Sequence, residues 1–92
     1  MNKLLISAKE IIENILVEYN FEIIDVFEYG LSKIEFMLRK KDKIIAISLV
    51  DDMSYDFMIF NNSGDEILYS NTVKLLSLNE LIELIQQDLR EI

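Results

Sequence analysis

Along the first twenty positions, hydrophobic residues recur at helical spacing. Leu4, Leu5, Ala8, Ile11, Ile12, Ile15 and Leu16 fall on one stripe, and Glu10, Glu13, Asn14 and Glu18 take much of the opposite side. The spacing predicts an amphipathic helix over 3–19. The period then shortens to two. Residues 22–29 are rich in Ile, Val, Phe and Tyr, which suit a pleated surface. Gly30 permits a turn. Over 31–39, Ile34, Phe36 and Leu38 point one way and Lys33, Glu35, Met37 and Arg39 the other. Lys40, Lys41 and Asp42 make a hairpin turn. Residues 43–50 are almost unbroken in their apolarity, as expected of a central strand buried on both faces. A turn at Asp51–Ser54, a strand over 55–60, a turn cluster at Asn61–Asp65 and a short strand over 66–70 follow. Ser77 stands three residues before Glu80 and opens an apolar stripe of Leu78, Leu81, Ile82, Ile85 and Leu89, a capping-box start to a helix running to about residue 91.

The order is α-β-β-β-β-β-α. Consecutive strands joined by short turns imply an antiparallel five-stranded meander flanked by an N-terminal and a C-terminal helix, the α+β class. Ninety-two residues make one compact domain, with no linker or repeat to divide them.

A set of residues on the second sheet face changes this picture. Met37, Ile44, Ala46, Val50, Met58 and Phe60 share it with Lys33, Glu35, Arg39, Ser48 and Asp56. That is apolar for a solvated face. With one helix on each side of the sheet, the set is core. With both helices on one side, it is exposed, and Met37, Ile44, Met58 and Phe60 become an interface, since exposed apolar patches mark contact sites and methionine adapts to a partner's shape. The split placement is the first expectation, and a homodimer through this face the next.

Charge adds a second candidate surface. The chain carries −8. Residues 1–46 hold seven basic and eight acidic groups, while 47–92 hold two and nine. No Lys or Arg occurs from Ile44 to Val73. Such a chain lacks the cations that displace counterions from phosphate, so neither direct nucleic-acid binding nor an anionic membrane surface is expected. A meander puts alternate turns at the same end. Glu28, Asp51, Asp52 and Asp56, with Glu80 at the start of the last helix, are therefore expected to gather at one pole. A basic tip of Arg39, Lys40, Lys41 and Lys43 is expected opposite. Asp65 and Glu66 extend the acidic set. Charges also collect at turns simply because turns are solvated.

Catalytic chemistry is poorly provided for. Neither His nor Cys is present, which excludes the common nucleophile–base arrangements and the usual zinc sites. Two glycines 34 positions apart form no phosphate loop. Asp51, Asp52 and Asp56 could offer oxygen ligands to Mg²⁺ or Ca²⁺, but their spacing fits no calcium loop. Glu22, Asp25 and Glu35 lie among apolar residues, yet alternation puts them on a solvated side. No cofactor or metal is expected. The nine aromatic residues read as core and hairpin positions, because base stacking goes with a basic groove.

In length, acidity and lack of a catalytic set, the chain is similar to small inhibitor proteins of mobile elements, including anti-CRISPR-like DNA mimics, and to bacterial immunity proteins. The likeness covers no motif. It implies a cytoplasmic, non-enzymatic module that occludes a basic site on a target protein. The partner-binding residues expected for it are Glu28, Asp51, Asp52, Asp56, Asp65, Glu66 and Glu80. The alternative is an assembly module working through the apolar sheet face. No apolar run approaches the length of a signal core or a membrane span.

Overall fold

A computed structural model describes residues 3–92. It contains α1 (Lys3–Glu18), β1 (Glu22–Tyr29), β2 (Lys33–Lys40), β3 (Lys43–Val50), β4 (Ser54–Phe60), β5 (Ile67–Lys74) and α2 (Leu78–Leu89). The strands form one antiparallel sheet in the order β1-β2-β3-β4-β5. This is the α+β meander expected from the periodicities.

Local chemistry sets the boundaries. α1 ends in a Schellman motif: Asn20 takes the left-handed conformation (φ 59°), its N–H donates to the Val17 carbonyl, and the Phe21 N–H donates to that of Leu16. At α2, the Ser77 hydroxyl accepts from the Glu80 N–H at 3.4 Å, and the Glu80 carboxylate accepts from Leu76 N–H at 3.1 Å. The return half of the capping box thus reaches one residue further back than its usual partner.

Register identifies the faces. Ile34, Phe36 and Leu38 stand opposite Leu49, Ile47 and Ile45, which in turn stand opposite Tyr55, Phe57 and Ile59. All nine are buried. The same core cluster contains Leu5, Ala8, Ile12, Ile15 and Leu16 of α1 and Leu81, Ile85 and Leu89 of α2. α1 packs over β1, β2 and β3, α2 packs over β4, and the helices touch each other. Both helices therefore cover the same face. This corrects the expectation that they divide between the two, and with it the reading of β3 as buried on both sides. Ile44, Ala46 and Val50, on its second face, are only half-buried.

A second correction concerns β5, which continues to Lys74 rather than ending near residue 70. Asn71 sits at an inward position opposite Phe57 and interrupts the apolar alternation. Its partner is a buried carboxylate, described below.

Both edge strands carry an irregularity, at Ile24 in β1 and beside Ile67–Tyr69 in β5. Bulges of this kind twist an edge away from further strand pairing.

Candidate functional site

The uncovered face is a grid whose rows follow the register. One row runs Asp25, Met37, Ala46, Met58, Ser70. The next runs Glu22, Arg39, Ile44, Phe60, Ile67. Together they place Met37, Ile44, Ala46, Met58 and Phe60 side by side on the three central strands. All five are half-buried with no element over them. A polar row lies alongside: Phe27, Glu35, Ser48, Asp56, Thr72. Ser48 is flanked so closely there that it is buried without any cover from a helix. The Asp56 carboxylate accepts from the Thr72 hydroxyl.

Sequence reasoning missed the aromatic corner of this face. Phe27 and Tyr29 are exposed on β1, with ring centroids 6.3 Å apart. Lys33 Nζ lies 5.2 Å from the Tyr29 ring and 3.7 Å from Glu35 Oε2. Alternation within β1 was the available signal, since Asp25, Phe27 and Tyr29 share one side.

Charge on this face is nearly balanced. It carries four acids, Glu22, Asp25, Glu35 and Asp56, and three bases, Lys33, Arg39 and Lys74. The single excess negative charge contrasts with −8 for the whole chain.

Of the seven acidic residues expected to form a partner surface, Asp51, Asp52, Glu80 and Glu28 lie at the end of the sheet where the meander predicts the acidic pole, while Asp56, Asp65 and Glu66 lie elsewhere. Asp51 and Asp52 are exposed at one end of the sheet, where the Asp51 N–H donates to the Ser32 carbonyl. The first turn of α2, with Glu80, starts at that end. Asp56 stands in mid-strand on the open face. Asp65 and Glu66 lie at the other end, beside the basic hairpin, where Arg39 Nη1 donates to Asn62 Oδ1 at 3.1 Å. Glu28 points to the helix side and pairs with Lys9 at 3.1 Å.

Most of these carboxylates already hold protein donors. Asp52 accepts from Ser54 N–H at 2.9 Å, and the Ser54 hydrogen bonds hold its pKa below the ordinary range. Asp65 accepts from Asn61 Nδ2 at 2.6 Å and the Ser63 hydroxyl at 2.8 Å, which lower it likewise. Glu80 is committed to the start of α2. Turn and cap formation account for these positions. Only Asp51 and Glu66 have side chains without such a partner among the described residues.

One polar cluster lay outside the sequence reading. Asp88 on α2 is fully buried. Its carboxylate accepts from the Tyr55 hydroxyl at 2.6 Å, the Tyr69 hydroxyl at 2.7 Å, and Asn71 Nδ2 at 3.1 and 3.3 Å. Burial, then the Asp88 hydrogen bond, drive the Tyr55 hydroxyl far above the ordinary tyrosine range. For Tyr69, the Asp88 hydrogen bond comes first and burial second, raising the pKa to about 12. The cluster ties α2 to β4 and β5. Tyr69 and Asn71 reach the surface while Asp88 and Tyr55 do not, and the chemistry is that of a satisfied buried acid. The signal for it was an acid three positions after Ile85, on the inward stripe of an otherwise apolar helix.

Among the described residues, no group of three acidic side chains converges to hold a metal ion. No described helix is long and apolar enough to cross a membrane. No family model, curated protein or solved structure matches the chain.

Proposed function

We propose that this chain is a non-enzymatic, cytoplasmic protein-binding module whose working surface is the open sheet face, and whose partner there is a second copy of itself. The observation that supports this is the uncovered apolar block Met37, Ile44, Ala46, Met58 and Phe60 on the central strands. Its charge balance favours self-contact. Lys33, Arg39 and Lys74 can meet Glu22, Asp25, Glu35 and Asp56 across a two-fold axis, whereas most of the remaining surface carries the excess negative charge. Size is also adequate. Five strands about 4.8 Å apart and roughly eight residues long give a footprint of roughly 600 Å², close to the ~800 Å² per partner of a standard interface.

Sedimentation velocity over a range of concentrations tests the reading. The wild type is expected to shift from monomer to dimer, and Met58→Asp to remain monomeric. A wild type that stays monomeric at high micromolar concentration would defeat the homodimer.

A second reading keeps an inhibitor-like role, with the acidic surface occluding a basic site on another protein. It is favoured by one observation: nearly all of the excess negative charge lies off the open face. Asp51 and Asp52 are adjacent and exposed at one end of the sheet. Reversing both to Lys is expected to slow association with a basic partner at low salt, while leaving any homodimer intact.

A further inference from the structure

A cavity of about 390 Å³ opens on the helix side of the sheet, away from the open face. It is lined by Tyr19, Phe21, Lys40, Lys41, Leu89, Arg90 and Ile92. Three separate elements meet there: the link from α1 to β1, the hairpin between β2 and β3, and the end of α2. The volume lies within the ~300–1,000 Å³ typical of small-ligand sites.

Its chemistry is sharply divided. Tyr19, Phe21, Leu89 and Ile92 supply apolar walls, and every charged side chain lining it is a cation. That is unexpected in a chain with 17 acids and nine bases. Among the described residues, neither Lys40, Lys41 nor Arg90 forms an ion pair. Lys40 Nζ stands 4.9 Å from the Phe21 ring centroid and 3.5 Å from the Asn20 carbonyl oxygen, which holds it over the apolar wall with donors to spare. Lys41 has a left-handed backbone (φ 56°), where glycine would be unstrained. That conformation is what the two-residue turn between Lys40 and Lys43 requires, and it sets the Lys41 side chain at the cavity mouth. The carbonyl ends of α1 and α2 also lie here and draw cations, but they carry only partial charge against three full ones.

We infer that this cavity binds a small organic anion: an aromatic or aliphatic body against Tyr19, Phe21 and Leu89, with a carboxylate or phosphate held by Lys40, Lys41 and Arg90. Arg90 supplies a planar fork of donors suited to either head group. The site is independent of the open face, so neither inference depends on the other.

The test uses 2-naphthoate as the anionic probe and 2-naphthalenemethanol as its neutral counterpart, titrated into the ¹⁵N-labelled full chain. Shift changes are expected at Tyr19, Phe21, Lys40, Lys41, Leu89 and Arg90. The anion is expected to bind about tenfold more tightly than the alcohol, an advantage lost in Lys40→Gln/Lys41→Gln/Arg90→Gln, since three partly exposed charges each contribute a modest increment. The variant's own ¹⁵N spectrum confirms that it remains folded. Equal affinity for acid and alcohol, changes centred on the open face, or no saturable change at millimolar probe would each overturn the inference.

Discussion

The two faces of the sheet are built from the same strands, and both carry an apolar block at their centre, wholly apolar on one side and ringed by seven charged residues on the other, yet those blocks have opposite fates. On the covered face, Phe36, Ile47 and Phe57 stand in one row, each with no exposed surface. One residue further along, Met37, Ala46 and Met58 stand in the next row and remain half-exposed. Apolarity qualifies a face for burial. What decides the outcome is where the helices land, and in this fold both land on one side. The second face is left with its apolar block half-exposed and no element over it.

The contrast should appear first in stability. Phe57→Ala opens a cavity on the covered face and is expected to cost about 3–5 kcal/mol. Met58→Ala, its neighbour on the open face, should cost under about 1 kcal/mol in the monomer. Chemical denaturation of both variants provides the comparison, and equal losses would mean that the open face is covered after all.

Next comes the polar latch beneath α2. Asp88→Ala leaves the buried Tyr55 hydroxyl without an acceptor and Asn71 and Tyr69 without theirs. A loss of about 3 kcal/mol is expected by the same method. Tyr55→Phe retains two of the three donors and should cost about 1 kcal/mol.

The latch also predicts an alkaline limit. Because the folded pKa of Tyr69 is raised to about 12 from 10.0, the folded state holds that proton more tightly than the unfolded chain. The resulting stabilisation is complete below pH 10 and is lost as the pH rises through about 12. Stability of the wild type should therefore fall more steeply over that window than that of Tyr69→Phe. Parallel curves would show that the Asp88 contact does not govern the hydroxyl. The smallest effect is expected at the turn carboxylates. Asp51→Lys has no side-chain contact to break and should change stability by no more than about 0.5 kcal/mol.

These contrasts also explain how much could be read beforehand. Helix and strand periodicities located every element, because Ile34, Phe36 and Leu38 alternate cleanly and Ser77 and Glu80 mark the start of α2. The side on which the helices pack was not legible. β3 is apolar on both faces, so Ile44-Ile45-Ala46-Ile47 offers no asymmetry to choose between them. The end of β5 was hidden because Asn71 and Asp88, far apart in sequence, only make sense as a hydrogen-bonded pair. The acidic end was legible from the meander, but not that Asp52 and Glu80 there, and Asp65 at the other end, are engaged by their own turns and caps, or that Glu28 pairs with Lys9.

The open face can be interrogated at its own methyl groups. In a mixed sample of ¹³C-methyl-Met and unlabelled chains, isotope-filtered NMR should give contacts between chains from the Met37 and Met58 methyls to Ile44, Phe60 or Phe27. A dimer in which those methyls show contacts only within their own chain would contradict the open face as the site of assembly.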